Sequence, residues 1–187
     1  MKASRRRQGG CDCIYVALLR AVNVGGRGQL AMSDLKTMCR EAGFAQVETY
    51  IASGNVIFQA NGSAEDVKTA LEERLSRYAG KPVSVAIRTD RELAAIVETN
   101  PFKKETPSKT VTIFLEHAPE DDALLRATGR QREELHLGAR EIFVHYVDGI
   151  GRSKLKIPAA RSGTARNMNT VTRLAALAAK KRAALRG

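Results

Sequence analysis

The chain contains no tryptophan, and phenylalanine and tyrosine bring its aromatic content to only 5 % of 187 residues. The core must therefore be packed mainly from aliphatic side chains. An open RNA-binding sheet that stacks bases on exposed aromatics is disfavoured, because its glycine-aromatic signature is absent from Gly54-Asn-Val-Ile-Phe-Gln59. Cysteine is scarce. Cys11, Cys13 and Cys39 cannot all pair, and neither Cys-x-Cys nor the scattered His117, His136 and His145 has metal-ligand spacing, so no metal site is expected. No apolar run approaches the ~20 residues of a membrane span. Three arginines near the amino terminus are followed by no apolar signal segment, so a cytoplasmic protein without a membrane partner is expected. There is no Ser-x-x-Lys, no Gly-x-Ser-x-Gly and no carboxylate pair with a histidine at informative spacing, so the sequence names neither a reaction nor a cofactor. It leaves open whether the chain is an enzyme and what its oligomeric state is.

Acidic residues are missing from one region altogether. After Asp148 there is no Asp or Glu, while ten basic residues fall in 149–187 and four more in 1–10. The total of +11 is thus +10 and +4 at the ends against −3 for the body, 11–148. Basic ends invite an anionic partner, nucleic acid or phosphate, or are solvated tails.

What is present patterns as alternating strands and helices. Hydrophobic residues make up 43 % of the chain, enough for a packed interior. Residues 13–21 are apolar on both faces, as a strand covered twice should be. Helices are predicted at 33–42 and 64–79, the second opened by Ser63 and Asp66 as a capping box. Strands are predicted at 47–53, 55–60 and 83–88. The order βαββαβ is the ferredoxin-like unit. A helix at 90–99 follows. A second series then places strands at 110–115, 133–137 and 141–147, a helix at 119–128, a short helix near 153–160 and a final helix at 169–185. The fold class expected is α+β, two ferredoxin-like halves packed together with a carboxyl-terminal helix. The expected division is 11–89 for the first plait, 90–106 for a linking helix and loop, and 107–178 for a second, degenerate plait. Basic tails occupy 1–10 and 179–187.

Three polar stretches are candidates for a site. The first strand runs into Arg20, Asn23, Gly25 and Gly26, which is neither a Walker loop nor a dinucleotide fingerprint; it can bind an anion through backbone N–H groups or simply turn the chain. Ser53-Gly54-Asn55 reads as a hairpin turn. It is placed toward the sheet end opposite Arg20 and carried as a separate, secondary candidate. Arg166, Asn167 and Asn169 precede the last helix; one would suffice as a cap, and the rest suit a phosphate or carboxylate. Lys154 adds a point charge or is a solvated loop residue.

Four segments together resemble the bacterial domain of unknown function 1697 family: Tyr15-Val-Ala-Leu-Leu-Arg-Ala-Val-Asn-Val-Gly-Gly26, Thr49-Tyr-Ile-Ala-Ser-Gly-Asn-Val-Ile-Phe58, Gly151-Arg-Ser-Lys-Leu155 and Thr164-Ala-Arg-Asn-Met-Asn-Thr-Val171. The resemblance implies paired α-β plaits and no assigned activity. Met168 stands where that family usually has tryptophan, which points to packing rather than stacking on a ligand. The leading expectation is a polar, basic site for a phosphate-bearing small molecule or nucleic acid. The alternatives are an enzyme acting on a small phosphorylated or carboxylated substrate, and signature residues that only join the two halves.

Overall fold

The computed structural model describes residues 13–20 and 30–185. The amino-terminal tail, Cys11, Asn23, Gly25 and Gly26 lie outside the described residues. Two four-stranded antiparallel sheets form the frame. In the first half, β1 (Cys13–Leu19), β2 (Ala45–Thr49), β3 (Asn55–Ala60) and β4 (Val85–Thr89) are ordered β2-β3-β1-β4. In the second, β5 (Thr110–Phe114), β6 (Glu134–Leu137), β7 (Glu141–His145) and β8 (Thr164–Asn167) are ordered β6-β7-β5-β8. Position by position the two orders are the same, and both are the ferredoxin-like order.

The faces of β1 explain how the layers stack. Tyr15, Ala17 and Leu19 join an outer core with α1 (Met32–Glu41) and α2 (Ala64–Ala79). Ile14, Val16 and Leu18 point the other way. There they meet α3 (Asp90–Thr99), α4 (Met168–Ala184) and Phe114 and Phe143 from the second sheet. The double apolar pattern of the first strand thus reflects true double cover, with α3 and α4 forming the layer between the halves. Met168 is buried in that middle core, where its sulfur accepts from the Thr112 hydroxyl at 3.1 Å. Cys39 faces the outer core from α1, and burial pushes its thiol pKa up to about 12. No described helix is long and apolar enough to cross a membrane.

The second half departs from the expected pattern in its connections. The helix expected at 119–128 is a series of turns, with hydrogen bonds from the N–H groups of Ala123, Leu125 and Ala127 each reaching back three residues. The segment is too short to be stable alone as an α-helix. Its far end is claimed by a bridge in which Thr128 and Lys156 exchange both backbone hydrogen bonds. Leu125 is left 86 % exposed. The helix expected near 153–160 is replaced by two single 3₁₀ turns, Ile150–Arg152 and Pro158–Ala160, around an extended stretch. Proline opens the second turn, where its missing N–H is harmless. Residues 164–167, expected only as a helix cap, also form the edge strand β8.

Candidate functional site

The antiparallel pairing of β1 and β3 sets Leu18 against Asn55, and the Leu19 N–H donates to the Gly54 carbonyl at 2.8 Å. The expectation that the Ser53 turn sits at the opposite sheet end from Arg20 therefore fails. In an antiparallel pair the last residue of one strand meets the first of its neighbour. Arg20 and Ser53-Gly54-Asn55 share one rim.

The edge strand β8 brings Arg166 to the same rim from the second half. Its Nε donates to Asn55 Oδ1 at 2.6 Å. One terminal nitrogen donates to the Leu19 and Ser53 carbonyls, both at 2.9 Å, with Gly54 at 3.4 Å. The other donates to Thr164 Oγ1 at 2.9 Å and the Ala165 carbonyl at 2.8 Å. Every donor of the guanidinium is therefore satisfied, and every acceptor is neutral. Burial lowers the Arg166 pKa to about 10, and no carboxylate offsets the shift. Asn55 is fully buried, and its Nδ2 donates to the Tyr50 carbonyl at 3.0 Å and to Ser53 Oγ at 2.9 Å. Ser53 is exposed and keeps its own hydroxyl proton. Arg20 is also exposed; one terminal nitrogen donates to the Arg161 carbonyl at 2.6 Å, and its other donors have no partner among the described residues. The acid-free sequence after Asp148 thus meets the end of β1.

The other candidates separate. Asn167 is the cap of α4, its Oδ1 accepting from the Thr170 N–H at 3.0 Å. Asn169 is exposed on the first turn of that helix, with no side-chain hydrogen bond among the described residues. Lys154 is exposed in the segment beneath Gly129, whose missing Cβ would fall 2.2 Å from the Lys154 carbonyl. No described contact joins Lys154 to Arg166.

A second arginine, unremarked in the sequence, repeats the arrangement in reverse. Arg88 from edge strand β4 is only 1 % exposed. Its Nε donates to Glu141 Oε1 at 2.8 Å, and its terminal nitrogens donate to the Ile87, Leu115 and Arg140 carbonyls at 2.8–2.9 Å. The equivalence is residue by residue. Leu115 N–H donates to Arg140 as Leu19 N–H does to Gly54. Glu141 opens β7 as Asn55 opens β3. Thr89 then caps α3 as Asn167 caps α4. The readable signal was an arginine, a capping residue and an immediate helix, occurring once at 88–90 and again at 166–168.

The two arginine sites differ in charge. Beside Arg88 and Arg140 stand the carboxylates of Glu141 and Glu92, while Glu116, at the position equivalent to Arg20, offers Arg140 only its backbone carbonyl and pairs its carboxylate with Lys68. Around Arg166 and Arg20 the corresponding positions are Asn55, Thr170 and Arg20 itself, with no ion pair among the described residues. Burial lowers the Arg88 pKa too, but Glu141 opposes that shift. A cavity of about 360 Å³ lies beside Arg88, floored by Ile96, Leu137 and Phe143. The charges in its wall are paired with one another, Arg88 with Glu141 and Arg140 with Glu92.

Elsewhere, His145 is buried between Thr110 Oγ1 at 3.3 Å and Glu105 Oε2 at 3.5 Å. Thr110 and His145 are buried, while Glu105 is exposed. Among the described residues no group of three or more His, Cys, Asp or Glu side chains could hold a metal ion.

Comparison with known proteins agrees with the architecture. No curated protein matches the chain. The solved structure of conserved bacterial protein SP0830 from Streptococcus pneumoniae superposes with a TM-score of 0.75 at 24 % identity, covering 90 % of this chain and 99 % of that one. At that identity the likeness speaks for the fold. The model of a protein family of unknown function, DUF1697, matches residues 14–143, a span that includes the β1 rim, the Ser53 turn and the Arg88 site. The chain belongs to the DUF1697 family.

Proposed function

We propose that the chain binds a phosphate-bearing small molecule at the rim formed by Arg20, Ser53 and the carbonyl-saturated Arg166. The observation that carries this reading is the internal contrast. Two arginines, Arg88 buried and Arg166 half-buried, clamp corresponding strand ends, yet Arg166 has no carboxylate partner among the described residues. A partly desolvated cation without a counter-charge carries a cost, and in the same molecule Arg88 has Glu141 to offset it. An anion arriving at the rim would supply the missing charge. Arg166, with its donors occupied, would act through its field, while Arg20 and the Ser53 hydroxyl would donate to the ligand oxygens. Asn23, Gly25 and Gly26 follow Arg20 in sequence and belong to this reading as suppliers of backbone N–H groups. Asn167 and Lys154 do not belong to it.

Binding is favoured over catalysis. The partners of Arg20 and Arg166 are carbonyls, an amide and a hydroxyl, with no general acid or base among them. A purely structural role is the second reading, supported by Arg166 spanning the two halves. Arg20→Glu separates the two, because Arg20 is exposed and the equivalent Glu116 is tolerated in the second half. Thermal unfolding in phosphate and in chloride at matched ionic strength should show phosphate-specific stabilisation of the wild type. That stabilisation should vanish in Arg20→Glu while its melting temperature in chloride stays within a few degrees. Equal melting curves in the two salts for the wild type leave only the structural reading.

A further inference from the structure

The two arginine sites also differ in the hairpin each arginine clamps, and the difference bears on what the ligand carries besides its charge. In the second half, the Gly138 N–H donates to the Glu141 carbonyl at 2.7 Å, closing a turn over two residues, Ala139 and Arg140. In the first half, the Tyr50 N–H donates to the Asn55 carbonyl at 3.0 Å, closing over four, Ile51 to Gly54. The clamp itself does not need the longer turn. Arg88 makes the corresponding bonds to the two-residue version.

The lengthened turn contains a costly residue. Ile51 has φ = +51°, in the left-handed region where a β-branched side chain is an outlier. It is also 50 % exposed, one of four large apolar side chains left in solvent among the described residues. Neither property is relieved by burial. The turn is nonetheless held firmly, by Asn55 on the Tyr50 carbonyl and Ser53 hydroxyl and by Arg166 on the Ser53 and Gly54 carbonyls. A strained, exposed isoleucine fixed two residues from the Ser53 hydroxyl is over-determined by its surroundings, which is the situation in which strain marks function.

We infer that Ile51 is the specificity-determining residue of this rim, an apolar shoulder for the organic group of a phosphate monoester, so that the site takes an apolar or planar organic phosphate in preference to free phosphate. The inference rests on the phosphate-binding reading above and adds the ligand's second part to it. An exposed apolar side chain gains by covering such a group, through area removed from water on both partners. The phosphate would meet Arg20 and Ser53 while the attached group lies against Ile51.

The test compares inorganic phosphate with phenyl phosphate by isothermal titration at low ionic strength, in wild type, Ile51→Ala and Ile51→Gly. The wild type should bind phenyl phosphate about tenfold more tightly than inorganic phosphate, in keeping with one covered apolar group. Both variants should lose that preference and keep the affinity for inorganic phosphate. Ile51→Gly should also melt at a higher temperature than the wild type, because glycine adopts positive φ without strain. A gain in stability with a loss of preference cannot come from a damaged fold. The inference is overturned when the wild type binds both ligands equally, or when the variants keep the preference. Failure of both ligands to bind the wild type overturns the phosphate-binding reading instead.

Discussion

The two halves share a strand order and an arginine clamp, yet they are finished differently. The first half covers its outer face with two helices, whose buried stripes include Leu35, Cys39, Val67 and Leu71. The second covers the same face with irregular chain, using Leu124, Leu155, Ile157 and Ala160. The clamps diverge in the opposite sense. Arg88, in the barely exposed junction, is neutralised by Glu141. Arg166, next to exposed Arg20 and Ser53, is left charged among neutral oxygens. The lesson is that one hydrogen-bond geometry can serve two ends. With a carboxylate it only joins the sheets; without one it also leaves positive charge at a surface that has room for a partner.

Removing each clamp arginine should separate the two sites by stability. Arg88→Ala should cost the most, about 3–5 kcal/mol, because it strands the buried Glu141 carboxylate as well as the Ile87 and Leu115 carbonyls, the Arg140 carbonyl keeping the Leu115 N–H. Arg166→Ala should cost less, about 2–3 kcal/mol, since it strands only neutral acceptors. Urea unfolding of the two variants checks the order; an Arg166→Ala loss equal to that of Arg88→Ala would mean that the counter-charge is irrelevant to the clamp.

The next effect concerns the helices that follow the clamps. Arg182 of α4 donates to both carboxylate oxygens of Asp90 at the start of α3, at 2.6 and 3.0 Å. Burial alone would raise the Asp90 pKa, but Arg182 outweighs it and holds the carboxyl below its ordinary 3.8. A folded pKa below the unfolded one contributes stability that is complete above 3.8 and lost as pH falls through the lowered value. Glu92, held low by the Thr89 hydrogen bonds and Arg140 against the opposing effect of burial, adds to the same acid loss. Arg182→Ala should cost about 1–2 kcal/mol at neutral pH. It should also flatten the fall of stability below about pH 4, measured by unfolding across pH. The counterpart of Asp90 in α4 is Met168, so no matching acid dependence is expected from that end.

The smallest effects are the caps. Thr89→Ala and Asn167→Ala should each cost about 1 kcal/mol. Thr89 should cost more, because it shares a reciprocal capping box with Glu92 and Asn167 has no such partner. Equal losses in thermal unfolding would show that the box adds nothing to the cap.

Much of the fold was legible locally. The two apolar faces of 13–19, the capping box at Ser63 and the alternation of 141–145 are patterns within one element, and each became the element expected. The misreadings arose where a distant segment decides. Residues 119–128 carry enough alanine and leucine for a helix, but Lys156 takes Thr128 into a bridge. Residues 164–167 looked like a cap and became an edge strand because β5 offered its free edge. Of the site, Arg20, Ser53, Asn55 and Arg166 were visible as polar residues, but not as neighbours.

That division has a physical basis. The periodicities and the caps depend on residues a turn or a strand apart, and the lack of any acid after Asp148 is composition, so all three are readable without a fold. That Arg166 reaches Leu19, 147 positions away, and Asn55, 111 away, depends on the packed fold. Strand register and the packing of one half on the other set those meetings, and both are chosen by burial summed over the whole core rather than by local pattern. The same packing placed Glu141 on Arg88 and, among the described residues, nothing acidic on Arg166.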